Sequence, residues 1–156
     1  MIVEHSTHLA CPPEKCFREL KTTRLFEFVS WPIVRFDPVD PPQFPRTWEE
    51  RTYLVRASVF GLIPVGRQRI DITGRNRSGE TRSFFVELRD NGRGTLVSKW
   101  DHVITVREAD TGCLYTDRVE IEAGLLTPLV TAFAWCFYRH RQRRWRQLVA
   151  SGFVYA

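Results

Sequence analysis

Five stretches in which apolar and polar residues alternate with period two, at about 48–59, 65–73, 81–89, 95–107 and 113–122, succeed one another across short gaps. Turn chemistry fills the gaps at 61–64, 76–79, Asp90-Asn91-Gly92 and Asp110-Thr111-Gly112. Connections this short cannot carry a parallel crossover, so the pattern predicts an antiparallel meander of at least five strands. The period then changes. With Thr127 as N-cap, Pro128 at the first helical position and Gly152 as the stop, one helix is predicted over 128–151. At about 1.5 Å per residue it reaches on the order of 36 Å, enough to cross the whole sheet. Its predicted inward stripe is Leu126, Val130, Phe133, Phe137 and Leu148, with Arg144 among them and His140 at the edge.

Ahead of the meander, 2–9 reads as a strand, Pro12-Pro13-Glu14 opens a short helix with Cys16, Phe17 and Leu20 on one face, and 23–29 reads as a second short helix. The stretch 31–45 carries prolines at 32, 38, 41, 42 and 45 and reads as an ordered loop, because Ile33, Val34, Phe36 and Phe44 are interleaved with them. A chain of 156 residues, 43% hydrophobic and without an internal repeat, suits one domain over 1–156 with a sizeable core. No basic leader precedes an apolar stretch and no apolar run approaches the roughly 18 residues of a membrane span, so a soluble, cytoplasmic protein is expected. Cys11, Cys16, Cys113 and Cys136 lack the close pairing of zinc or redox sites and are read as reduced thiols. The net charge of +5 permits an acidic partner without requiring one.

Register turns this pattern into a candidate site. In 95–107 the even positions Leu96, Trp100, His102, Ile104 and Val106 form the apolar set, and in 113–122 the odd positions Tyr115, Asp117, Val119 and Ile121 do. A four-residue loop at 108–111 sets His102 against Asp117, Trp100 against Val119 and Ile104 against Tyr115. A three-residue loop through Arg93 sets Phe84 against Trp100 and Arg82 against His102. Arg82, His102 and Asp117 then share an otherwise aromatic and aliphatic inner face. Either they are the polar end of a ligand cavity, with Asp117 orienting His102 and Arg82 favouring an anion, or they are a cross-strand charge group that satisfies only itself.

The helix end is arginine-rich, with Arg139, Arg141, Arg143, Arg144 and Arg146 beside His140, Trp135, Tyr138 and Trp145. Arginine among aromatics suits phosphates and bases, but these side chains point around several sides of the helix, which fits dipole compensation and disfavours a nucleic-acid partner. Trp135 is the candidate contact for a homodimer. No nucleophile elbow, phosphate-binding loop, dinucleotide fingerprint or zincin motif is present, and histidines at 5, 8, 102 and 140 are too dispersed to argue a metal site. No cofactor is expected.

The order of strand, two short helices, long loop, meander and terminal helix resembles the START and pollen-allergen superfamily, also called SRPBCC or polyketide cyclase and lipid-transport proteins. The resemblance rests on Pro12-Pro13-Glu14-Lys15-Cys16-Phe17, on Tyr115-Thr116-Asp117, and on the run from Phe137 to Trp145, similar to the terminal helix of small bacterial members. It implies an α+β helix-grip fold, a curved antiparallel sheet wrapped around the C-terminal helix, with a ligand cavity between them and no shared catalytic set. The expected ligand is a small hydrophobic molecule, lipid-, polyketide- or aromatic-acid-like, contacting Arg82, Phe84, Trp100, His102, Tyr115, Asp117, Phe133, Phe137 and His140. Two alternatives stand beside binding: a cyclase-type enzyme on an enolisable carbonyl compound with His102 and Asp117 as catalytic residues, and an interaction module using the arginine-rich helix end.

Overall fold

The computed structural model describes residues 1–81 and 83–155. β1 (Ile2–Leu9) leads into α1 (Pro13–Leu20) and α2 (Thr23–Ser30), followed by β2 (Val34–Asp40), β3 (Thr52–Val59), β4 (Ile63–Asn76) and the single turn α3 (Ser78–Thr81). β5 (Phe85–Gly94), β6 (Lys99–Glu108) and β7 (Cys113–Glu122) complete a seven-stranded antiparallel sheet of order β1-β7-β6-β5-β4-β3-β2, and α4 (Thr127–Ala150) packs on β1, β7 and α2. This is the α+β helix-grip arrangement, with two short helices after the first strand.

Local chemistry sets the helix boundaries. Pro13 occupies the first turn of α1, and the Thr22 hydroxyl caps α2 by accepting from the Leu25 amide at 3.2 Å. Thr127, expected to cap α4, does something else. Its hydroxyl accepts from the Ala123 amide at 2.9 Å and donates to the Gly124 carbonyl at 2.7 Å, closing the 3-10 turn that feeds the helix. α4 ends where Gly152 takes φ +68° and the Phe153 amide reaches the Leu148 carbonyl at 2.8 Å.

Three expectations need correction. The proline-rich stretch 31–45 contains strand β2, at the sheet edge, where proline's missing N–H interrupts nothing and a register shift between Pro38 and Asp40 absorbs the irregularity. The turn expected at 90–93 is strand: β5 continues to Gly94 and the chain reverses after it, before β6 opens at Lys99. Gly92 and Gly94 are needed there for close approach, since a Cβ would lie 2.7 Å from the Arg69 carbonyl oxygen at Gly92 and 2.8 Å from that of Arg67 at Gly94. Gly92 therefore pairs with Trp100 and Asp90 with His102, so Phe84 does not hold the position expected of it. The β6–β7 loop is 109–112, one residue further on than expected. His102 faces Val119, Ile104 faces Asp117 and Trp100 faces Ile121. A shift of two pairing positions keeps every side chain on its expected face.

The inward stripe of α4 is also rotated from the expected one. Ala134, Phe137, Tyr138, Arg141, Gln142, Trp145 and Leu148 are buried, whereas Leu126 is exposed and Arg144 is only half-buried. Two apolar clusters result. Trp145 and Leu148 pack with α1, α2 and Tyr115, while Ala134, Phe137 and Tyr138 pack with Val3, Val119 and Ile121. Arg141 and Gln142 fall between them, and this interruption of the core is where the polar site forms.

Candidate functional site

A cavity of about 350 Å³ lies between the N-terminal half of α4 and the concave face of β2 to β6. Phe36, Ala57, Val59, Val65, Val130, Phe133, Phe137 and Trp100 make its walls largely apolar. Its inner end is polar, closed by Asp90, His102, Tyr138 and Arg141. Beyond lies a chamber of about 50 Å³ under α1 and α2 that shares Phe26, Ile70, Asp90, His102 and Arg141 with the larger space. Room of that size admits a water beside polar partners.

Alternation on β6 and β7 puts His102, Tyr115 and Asp117 on the inner face, and helical spacing brings Arg141 and Gln142 down onto them. Asp117, 1% exposed, accepts at Oδ1 from Tyr115 Oη at 2.8 Å and from His102 Nε2 at 2.9 Å, and at Oδ2 from Gln142 Nε2 at 3.1 Å. Arg141 Nη2 stands 3.9 Å from Oδ1. Burial alone would raise the Asp117 carboxyl, but the His102 hydrogen bond and the Arg141 charge together hold it below the usual range. Burial lowers His102 despite the neighbouring carboxylate, so the ring is neutral. With Nε2–H donated to Asp117, Nδ1 is the acceptor that His102 offers to the cavity it lines.

Arg141 is 5% exposed, and its Nε has no hydrogen-bond partner. Nearby carboxylate and phenol groups outweigh its burial and keep it charged. Asp90 behaves oppositely: burial pushes its carboxyl well above the ordinary value, offset only in part by the Asp71 amide, which donates to Oδ1 at 2.8 Å. An acid uncharged when folded but ionised when unfolded makes the fold less stable as pH rises above the unfolded value of about 3.9, until the folded pKa is reached. Asp90→Asn removes that penalty. The variant is expected to match the parent in urea melts below pH 4 and to be the more stable of the two at neutral pH, by about 1.4 kcal/mol for every tenfold by which folding tightens the acid's hold on its proton.

Of the residues expected at the site, Trp100, His102, Phe133 and Phe137 line the cavity, and Tyr115 and Asp117 sit behind His102. Phe84 lies elsewhere, 6.5 Å from Phe17 between ring centroids. His140 bonds the Trp31 carbonyl through Nε2 at 2.8 Å and lines no part of the cavity. Arg82 falls outside the described residues. Asp90, Tyr138, Arg141 and Gln142 were missed. A repeat at 134, 137, 138, 141, 145 and 148 runs through the helix, but its arginine belongs to the run read as compensating the helix dipole. Several helix-end arginines also have partners within the chain: Arg144 stacks on Phe28 at 3.9 Å, Arg139 lies over Trp135 at 4.5 Å, and Arg146 donates to Thr7 Oγ1 at 2.8 Å. Among the described residues no group of three or more His, Cys, Asp or Glu side chains could hold a metal ion, and no helix is long and apolar enough to cross a membrane.

Solved structures share this fold along nearly their whole length. The protein TTHA0849 of Thermus thermophilus is 11% identical with a TM-score of 0.65, covering 99% of this chain and 100% of its own. A START superfamily protein of Mycobacterium smegmatis is 12% identical with a TM-score of 0.60, over 96% and 97% of the two chains. The Zhui aromatase/cyclase of a Streptomyces species is 14% identical with a TM-score of 0.53, over 99% of both. At such identities the likeness concerns the fold, which is START-like. No curated protein sequence matches the chain significantly. The profile described as Domain of unknown function (DUF8410) matches residues 37–149, and the chain, a START-like helix-grip protein, belongs to that family.

Proposed function

We propose that the protein binds a small hydrophobic molecule, lipid-, polyketide- or aromatic-acid-like, with its oxygen-bearing head group at the Asp90, His102 and Arg141 end of the cavity. The observation that carries this reading is the Arg141 guanidinium, buried and 3.9 Å from the Asp117 carboxylate, lining an apolar space of about 350 Å³, within the usual range for small-molecule sites. A charge held in a core without full hydrogen bonding costs stability unless something else completes it. A carbonyl or carboxylate oxygen in the cavity adds a hydrogen-bond acceptor for the guanidinium, and Phe133, Phe137 and Trp100 receive the apolar body. The ligand-binding character of the fold, and the START and aromatase/cyclase descriptions of its structural neighbours, support the reading. A cytoplasmic carrier fits it, as does a single unit spanning the chain.

The test is native mass spectrometry of protein from its own host, followed by titration with medium-chain fatty acids and aromatic carboxylic acids. A retained small molecule and a change in tryptophan fluorescence are expected, with Ala57→Phe combined with Val130→Phe, which narrows the cavity, reducing both. No retained mass and no response across the panel would overturn the proposal.

The neutral His102 backed by Asp117 favours a second reading, general acid or base catalysis on an enolisable carbonyl compound held in the same cavity. Consumption of a bound aromatic polyketide, lost in His102→Ala while binding persists, separates catalysis from binding.

A further inference from the structure

The three most exposed large apolar side chains among the described residues are Leu125 at 102%, Leu62 at 83% and Leu129 at 69%, each in or next to a segment that lines the cavity. Leu129 lines the cavity, and Leu125 precedes it by one helical turn. Leu62 sits at the β3–β4 turn, between Val59 and Val65 of the cavity wall. Phe60 and Ile63 flank it, 57% and 60% exposed. Phe60 takes φ +53°, a left-handed conformation rare for an aromatic residue, at a turn that leaves its ring outside the core. Such a rim gains nothing from this chain's own packing and marks a contact surface.

A basic patch adjoins it. Arg56 stands directly opposite Arg67, and Arg69 directly opposite Arg93, on the exposed face of β3, β4 and β5. Like charges paired across strands destabilise a sheet. Among the described residues none of the four has a carboxylate within 4.0 Å, whereas neighbouring Arg89 meets Asp101 at 2.8 Å and Lys99 meets Glu120 at 2.8 Å. Arg67, Arg69 and Arg93 line one open groove, and Arg67, Gly94 and Thr95 belong both to it and to the cavity wall. The cavity wall, which Leu129 also lines, and the unneutralised arginines are therefore continuous.

We propose that this end docks on an anionic lipid bilayer, the leucine rim entering the acyl boundary and the arginines engaging headgroup phosphates, so that the cavity opens toward the membrane. Apolar side chains beside cationic ones match the two layers of a bilayer surface. A second copy fits worse, since a two-fold pairing through the rim would bring the arginine patches together. Nucleic acid accounts for the arginines and leaves the leucines unexplained. Docking does not require the cavity to be occupied, so it stands or falls apart from the ligand proposal.

The experiment is flotation of the full chain with vesicles of phosphatidylcholine alone and of equimolar phosphatidylcholine and phosphatidylglycerol. Binding is expected to the anionic vesicles and to weaken with salt. Arg67→Ala combined with Arg69→Ala should reduce it about tenfold or more. Leu62→Ser combined with Leu125→Ser should abolish it with unchanged thermal melting, because both side chains are solvent-exposed. Arg143→Ala, an exposed arginine in the C-terminal half of α4, should leave it unchanged. Absence of vesicle binding, or binding indifferent to the leucine pair, overturns the proposal. So does RNA binding as strong as vesicle binding and insensitive to the leucines, or a dimer that the leucine pair dissolves without any vesicle binding.

Discussion

Asp117→Ala is expected to lower stability by about 3 to 5 kcal/mol, because it removes the acceptor around which the buried polar group is organised. Tyr115 and His102 lose the acceptor that satisfies them, Gln142 keeps only its bond to the His5 carbonyl, and Arg141 loses its nearest counter-charge. At about 2 to 4 °C per kcal/mol for a chain of this size, the melting temperature should fall by roughly 6 to 20 °C. Asp117→Asn should lie between, since an amide keeps an acceptor but cannot balance Arg141. The same network sets the acid limb. The Asp117 pKa is lowered by folding, so its contribution is complete above the unfolded value near 3.9 and is lost as pH falls through the folded one. His102 is also lowered, so protonation of the unfolded chain drains stability as pH falls below about 6.5 until the folded ring titrates. Urea melts between pH 7.5 and 5 should show that decline, and His102→Gln should reduce it. A cost below about 1 kcal/mol for Asp117→Ala would mean that the group is hydrated rather than buried.

The faces of β6 and β7 were legible in the sequence because alternation is a local property that survives a register shift of two. Pairing was not, because it depends on where each turn closes. Gly92 and Gly94 carry the strongest turn signal in their region, yet they are strand residues whose missing side chains let β4 approach. Their displacement carried Phe84 away from Trp100 and brought Asp90 to His102. Gly112 misled by less: it takes φ +82° and a Cβ there would lie 2.2 Å from the Leu9 carbonyl oxygen, a constraint from a strand distant in sequence that pins the loop at 109–112. For α4 the period was readable and its phase was not. The most apolar residues define one stripe, whereas the buried one includes Arg141 and Gln142, charged and polar side chains that become intelligible only beside Asp117 from another strand.

Arg141→Met is expected to weaken binding of a medium-chain fatty acid about 10- to 150-fold, the equivalent of losing one charge-assisted hydrogen bond of about 1.5 to 3 kcal/mol. Its effect on folding should be smaller than that of Asp117→Ala. Nη2 is 3.9 Å from Asp117 Oδ1 and Nε is unpartnered, so beyond the contact with the Tyr115 hydroxyl little hydrogen bonding is lost on removing the guanidinium, and methionine fills the vacated volume. Asp117 retains its hydrogen bonds from His102, Tyr115 and Gln142, and without the cation its carboxyl can take up a proton instead of remaining a bare buried charge. The contrast between the two variants is the informative quantity. If Asp117 supports the fold and Arg141 serves the ligand, the first loses stability and the second loses affinity, with the fatty-alcohol analogue of the same chain length binding both the parent and Arg141→Met weakly. Arg141→Met that melts far below the parent while binding the acid unchanged would instead make the guanidinium a structural counter-charge, and would move the ligand's head group away from this end of the cavity.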